Sequence, residues 1–340
     1  MIDQSYFTCI QGAVYIPTQA WNAYQQWRDY RHDIIERDLG YAQKLKLNAI
    51  RVWMSYEYWV ADRSDFEKKY EDLVTTAFLK GIRVMPSMFE CCGREPRQEY
   101  IEDTGQFTAT AVRSPGTVIT EDREKWGGPF SFLDWFLDAY GNDHRILAIE
   151  VTNEPKTVSD HMFALELLKR AKGAGVEIPV TLGAQTLFDN ILYKGNIDIF
   201  QTHENIHLSE FSLKGVLERA KMVEEIEHIP VWVTEWQQIR TSGIGFSGEY
   251  VDKGELRPNH KSMARWYHTY KVGNFVWSLM LKPAYLTGQR SVGTFSGLFH
   301  EDGCVYSLED ARAVANNPEL VLEERRSLPI CFNEVALKSE

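Results

Sequence analysis

Short β-branched runs recur along the chain, separated by longer segments in which apolar residues return every three to four positions. Strand-like runs fall at 8–15, 48–53, 82–89, 146–152, 177–182, 197–202, 230–234 and 273–279. Helical spacing fills 32–46, 64–80, 130–140, 159–173, 208–226 and 259–271. Apolar runs of about four to eight residues bounded by turn signals read as buried parallel strands. The stretch from Asp65 to Lys80, followed by Gly81, has the spacing and terminal glycine of a helix that feeds a strand. Strict alternation predicts an α/β protein, a closed (β/α)8 TIM barrel. A doubly wound sheet is the alternative, but no Gly-rich phosphate loop follows the first strand. No Pro/Ser-rich linker, low-complexity tract or repeat divides the chain, so residues 1–340 are expected to form a single (β/α)8 domain. Two long connections, 90–128 after the third strand and 236–257 after the seventh, are expected to shape a cleft. Beyond about residue 318 the sequence carries no functional signal.

Composition narrows the function classes. A formal charge of −11 and the lack of a basic cluster exclude a nucleic-acid surface. No apolar run approaches the roughly 18 residues of a membrane span, and the first residues lack the basic and apolar regions of a secretion signal. Five cysteines, with Cys91 and Cys92 adjacent and Cys9, Cys304 and Cys331 scattered, form neither a disulfide framework nor a zinc spacing. A reduced, cytoplasmic protein is the expectation. The 10 Trp, 16 Tyr and 17 Phe suit sugar rings, which pair apolar C–H faces with hydroxyl edges, although most of these aromatics are expected in the core.

Two runs carry the chemistry. The segment 146–155 reads Ile-Leu-Ala-Ile-Glu-Val-Thr-Asn-Glu-Pro, and the segment 229–236 reads Ile-Pro-Val-Trp-Val-Thr-Glu-Trp. Glu154 and Glu235 therefore stand at the C-terminal tips of two parallel strands, the end at which such folds place their reactive groups. A pair of carboxyls on different strands is what acid/base-assisted cleavage of a glycosidic bond requires. Arg51 lies inside an apolar strand, where a charge needs a partner.

The strand-end set Arg51, Asn153-Glu154-Pro155, His203, Glu235 and Trp277 resembles glycoside hydrolase clan A, the retaining (β/α)8 glycosidases, and most of all family 5 and its cellulase-like relatives. The resemblance spans nearly the whole chain and is most specific at Asn-Glu-Pro. It implies a retaining glycosidase acting on β-linked oligo- or polysaccharide, with Glu154 as acid/base and Glu235 as nucleophile. The acid is expected to keep its proton near neutral pH through repulsion from its ionised neighbour. Asn153 would bond the sugar 2-hydroxyl, Arg51 would pair with Glu235, and Trp277 would stack on the sugar beside the cleaved bond. His203 matches the clan's His-any-Tyr stretch, but Asn205 stands where the tyrosine belongs. That departure leaves the nucleophile's second partner open, with Tyr285 as a substitute.

Glu90 after the third strand is placed either to bind sugar hydroxyls in an outer subsite or to stand as a surface carboxylate. Trp53, Tyr56, Tyr58 and Trp59 are expected to divide between cleft floor and core, and Trp126 to cap the site. The mechanism calls for no metal and no cofactor, and carbohydrate is the expected partner. Cytoplasmic residence would suit a pocket that takes small oligosaccharides from one end. A carbohydrate-binding barrel without turnover is the competing reading, favoured only by Asn205. An isomerase or aldolase is a weaker one, since the strands carry no lysine. The sugar, linkage and oligomeric state are not readable from the sequence.

Overall fold

The computed structural model describes residues 10–247 and 249–329. Cys9, Cys331 and the N-terminal residues searched for a secretion signal lie outside them. Eight parallel strands follow one another around the structure: β1 (Gln11–Val14), β2 (Ala49–Trp53), β3 (Arg83–Ser87), β4 (Ile149–Asn153), β5 (Val180–Gly183), β6 (Phe200–His207), β7 (Val231–Ile239) and β8 (Gly273–Val276). Their order, β5-β4-β3-β2-β1-β8-β7-β6, is that of a rolled-up sheet. β5 meets β6 through Asp198, whose backbone N–H donates to the Val180 carbonyl at 2.8 Å and whose carboxylate accepts from the Val180 N–H at 2.9 Å. The fold is a (β/α)8 barrel.

Each expected strand is present. So is each of the six expected helices, at His32–Lys44, Arg63–Leu79, Gly127–Tyr140, Val158–Gly173, Glu210–Glu227 and Lys261–Tyr270. Their starts are chemically marked. The Asp62 carboxylate accepts from the Asp65 N–H at 3.1 Å, and Thr157 and Asp160 cap the helix after β4 reciprocally. Ile10, Val14, Ala49, Met85, Leu147, Ile199, Trp232 and Phe275 fill the barrel's interior. A larger apolar layer joins strands to helices. Gly12 is small for a reason, because a Cβ there would lie 2.4 Å from the Phe275 ring.

Three departures concern the rim. β6 and β7 run on together past the barrel, pairing His203 with Glu235, Glu204 with Trp236 and Ile206 with Gln238. The polar stretch His203-Glu-Asn-Ile-His207 shows no apolar run because it stands above the core. The connection expected at 236–257 therefore begins as strand. A long segment after β8, carrying a small antiparallel hairpin of β9 (Lys282–Pro283) and β10 (Phe295–Ser296), was not signalled by periodicity. A short helix at Leu308–Val314 follows it. Among the described residues, no helix is long and apolar enough to cross a membrane, and Cys91, Cys92 and Cys304 are free thiols.

Candidate active site

A cavity of about 530 Å³ opens at the C-terminal end of the strands. Its lining includes Trp53, Glu90, Asn153, Glu154, His203, Glu235 and Trp277. Beneath it lies Arg51, fully buried. Its Nη1 donates to Glu235 Oε1 at 2.7 Å, as expected. Its other nitrogens were not anticipated in their targets. Nε and Nη2 grip both oxygens of Glu150 at 2.7 and 2.6 Å, and Nη2 also donates to Asn153 Oδ1 at 2.6 Å. Glu150 had a visible signal, a second charge in an apolar strand, but nothing in the sequence paired it with Arg51. Burial works against the guanidinium's charge, and the Glu150 and Glu235 carboxylates outweigh it, so Arg51 stays protonated.

The guanidinium orients everything around it. Because it can only donate, Asn153 must turn Oδ1 towards it and present Nδ2 to the cavity side. That Nδ2 donates to Glu90 at 3.0 and 3.1 Å. Glu90 also accepts from the Cys92 N–H at 2.5 Å. The Glu90 side chain therefore lines the cavity and is buried, so the surface alternative falls. Burial, opposed by these two donors, pushes its carboxyl up to about 7. Gly183 at the tip of β5 makes room for the cluster: a Cβ there would approach Asn153 Oδ1 to 2.8 Å and Arg51 Nη2 to 3.0 Å.

Glu154 sits at φ +43, a left-handed conformation unusual for a residue with a Cβ. Its N–H donates to the Gly183 carbonyl at 2.7 Å, which fixes the reversal before Pro155. Strain of this kind, about 1–3 kcal/mol, persists where the surroundings over-determine it and gathers at functional sites. Oε1 lies 2.6 Å from His203 Nδ1, while Oε2 accepts from Gln185 Nε2 at 2.8 Å and the Cys92 thiol at 3.0 Å. Burial favours the neutral acid, but these partners, His203 foremost, hold Glu154 well below the usual carboxylate range. Burial likewise disfavours charge on His203, and Glu235 and Glu154 together raise its pKa above the ordinary value. The expected cause of a protonated acid, repulsion from Glu235, is thus overruled. The contact therefore favours an ionised Glu154 beside a protonated imidazole.

An oxygen of Glu154, an oxygen of Glu235 and a ring nitrogen of His203 all lie within 4.8 Å of one another. Such a trio has the spacing of a cation site, yet Arg51 already sets a positive charge against Glu235 at 2.7 Å. Asn205 takes the position left open by the missing tyrosine: its Nδ2 donates to Glu235 Oε2 at 3.0 Å, and Gln237 Nε2 donates in turn to Asn205 Oδ1 at 2.9 Å. Tyr285 instead packs edge-on to Trp277 at 5.7 Å. Trp277 is half-buried and also meets Trp53 edge-on at 5.7 Å. Trp53 lines the cavity, whereas Tyr58 and Trp59 are buried in the layer between strands and helices and Tyr56 packs against that layer. Trp126 does not cap the site. Its ring packs on Phe163 at 5.3 Å, and its indole N–H is used by the carbonyls of Ile119 and Thr120. Sequence reasoning also missed Lys282, Gln289 and Ser296, which the segment after β8 brings into the lining.

No family model matches the sequence, and no curated protein does. Solved structures do match in shape. A GH5_18 protein from Streptomyces cattleya, in complex with GlcNAc, aligns at 16% identity and a TM-score of 0.58, over 93% of this chain and 82% of that one. The exo-β-1,4-mannosidase Op5Man5 from Opitutaceae bacterium strain TAV5 aligns at 14% and 0.62, over 90% of this chain and 58% of its own. An endo-1,4-β-mannanase from Rhizomucor miehei aligns at 14% and 0.55, over 78% and 86%. The chain shares its fold with these structures. At such identities the likeness speaks for the barrel.

Two outcomes test this geometry. Gly183→Ala should cost about 1–3 kcal/mol by overpacking the Arg51 cluster, read as a lower urea midpoint, with an intact far-UV spectrum. Glu90 yields a pH test. Its carboxyl rises from the ordinary 4.5 to about 7 on folding, so the folded state holds the proton more tightly. Stability associated with it is therefore lost as pH rises between those values. Glu90→Gln cannot lose it, and its urea midpoint relative to the parent should climb steadily from about pH 4.5 to pH 7.

Proposed function

We propose that this protein is a retaining β-glycosidase in which Glu235 is the nucleophile and Glu154 the acid/base. The observation that carries the reading is the approach of Glu154 and Glu235 oxygens within 4.8 Å at the floor of one cavity. That spacing excludes a water between carboxyl and sugar and fits the roughly 5–5.5 Å of double-displacement enzymes. Glu235, gripped by Arg51 and Asn205, is aimed and cannot swing away. It attacks the anomeric carbon, the glycosidic oxygen departs with a proton from Glu154, and Glu154 then takes a proton from water as the ester is hydrolysed. Asn153 and Glu90 bind the hydroxyl edge of the sugar, and Trp277 offers its half-buried face to the ring.

His203 gives the acid its proton. Its Nδ1 lies 2.6 Å from Glu154 Oε1, and the two carboxylates that face it favour a proton there. A bound sugar expels water, and the glycosidic oxygen, gaining negative charge as the bond stretches, draws the proton across Glu154. Asn205 supplies a donor to Glu235 where the family has a tyrosine, which removes the one feature that favoured a binding-only barrel. The substrate class we propose is a β-1,4-linked mannose-containing oligosaccharide. Fold neighbours support it: the exo-β-1,4-mannosidase Op5Man5, endo-1,4-β-mannanases and a GH5_18 variant in complex with Manβ1-4GlcNAc.

Purified protein should hydrolyse 4-nitrophenyl β-mannoside in preference to the α-anomer. Glu154→Ala should lower turnover by about 10²–10⁴ on substrates needing acid assistance, and azide should restore release of an activated phenol while yielding a β-glycosyl azide. Undiminished activity in both Glu154→Ala and Glu235→Ala contradicts the assignment. The alkaline limb of kcat/KM provides a second test. The parent keeps its catalytic proton up to a pH above the ordinary imidazole value, because His203 is raised. In His203→Gln the carboxyl alone must hold it, so the limb should move to lower pH. An unmoved limb removes His203 from the proton path.

A further inference from the structure

We infer that the cavity is closed on its glycone side by an interlock of three loops clasped by Arg290, so that the protein removes single sugars from the non-reducing end of a chain. This deepens, and rests on, the glycosidase reading. The direction of the substrate follows from the acid. The departing oxygen must lie against Glu154, so the leaving part of the chain extends over β4, β5 and β6. On that side the cavity is open: Gln185 is exposed, and the Lys156 side chain keeps 47% of its surface in solvent.

The opposite side is built differently. There the lining residues Ile16, Ala111, Lys282, Ala284, Gln289 and Ser296 are each at most 8% exposed. They come from the loops after β1, β3 and β8, and each loop is bonded to the others. Lys282 Nζ donates to the carbonyls of Pro17 and Ala20, which joins the segment after β8 to the loop after β1. Gln25 Nε2, just beyond that loop, donates to the carbonyls of Ile101 and Asp103 at 2.7 and 2.8 Å and so joins it to the loop after β3. Arg290 closes the ring. Fully buried, it donates Nη1 to the Gln106 carbonyl at 2.8 Å and Nη2 to the Ala109 carbonyl, while its guanidinium lies 4.5 Å from the centre of the Trp21 ring. A buried cation that spans three loops is expensive to dislodge, because its carbonyl partners would lose their donors together.

A polysaccharide threading through the site would have to pass this wall. The proposed subsite for one sugar lies between the wall and the carboxyl pair, beside Glu90 and Trp277, which both line the cavity, and the rest of the chain trails past Gln185. Leu286 and Phe246, both about half exposed, also line the cavity. Arg290 itself is absent from the cavity's lining, so it acts through the loops it holds.

The test uses reducing-end-labelled β-1,4-linked mannotetraose and cellotetraose, with the earliest products separated by size. The wild-type protein should release labelled trisaccharide and unlabelled monosaccharide before any labelled disaccharide appears. Arg290→Ala should raise the share of internal first cuts about tenfold, the scale of a modest steric discrimination, while hydrolysis of the small aryl glycoside stays within about twofold. Arg290→Gln keeps a donor to one carbonyl and serves where the alanine variant fails to fold. Internal first cuts by the wild-type protein overturn the closed end. A wild-type pattern of single-sugar release that Arg290→Gln or Arg290→Ala leaves unchanged overturns the clasp. Both results presuppose turnover that depends on Glu154 and Glu235; no turnover on any aryl glycoside would instead sink the glycosidase reading itself.

Discussion

A guanidinium buried at the top of a barrel sets the terms for this site. Arg51 has five N–H donors and no acceptor, and water cannot reach it. Every acceptor around it is therefore conscripted: Glu150 with both oxygens, Asn153 with its carbonyl, Glu235 with one oxygen. Two carboxylates against one cation leave the cluster with a net negative charge that the cavity above inherits. Removing one partner from such an ion cluster typically costs about 3–5 kcal/mol. The geometry of Glu235 and the orientation of Asn153 are thus fixed by folding rather than by ligand.

The same negative charge favours a proton on the imidazole beside it. His203 looks at two carboxylates, one at 2.6 Å and one at 3.7 Å, and they favour its protonated form where burial alone would oppose it. Reasoning from two facing glutamates alone puts that proton on Glu154. The structure sets an imidazole within reach of both, and its contact with Glu154 holds that carboxyl low. Cys92 and Gln185 complete the hydrogen bonding of Glu154, so its side chain is aimed before any sugar arrives.

Much of this was legible in the chain because its causes are local or periodic. The eight strands and six principal helices follow from hydrophobic spacing, and Glu154 and Glu235 from apolar runs that stop on a carboxylate. Arg51's need of a partner followed from its setting. What was hidden is contact at long range. Glu150 and Arg51 are 99 positions apart, and a charge inside a strand does not name its mate. Asn205 read as a loss until its amide was seen on Glu235, since the sequence does not show that a shorter side chain at that position still reaches the carboxylate. Trp126 read as a cap because Gly127-Gly128-Pro129 resembles a loop, whereas the tryptophan packs at a helix start. The wall after β8 left no periodic trace, because its two-residue strands are held by side chains such as Lys282 and Arg290.

The most direct measurement is mass spectrometry of the protein after incubation with a 2-deoxy-2-fluoro glycosyl fluoride of matching configuration, which forms the ester quickly and hydrolyses it slowly. The expected result is a single adduct of one fluorosugar, located on the peptide that carries Glu235 and lost when Glu235 is replaced by Gln. Turnover of β-glycosides with no adduct, or an adduct on Glu154, would contradict the assignment of nucleophile and acid on which the mechanism stands.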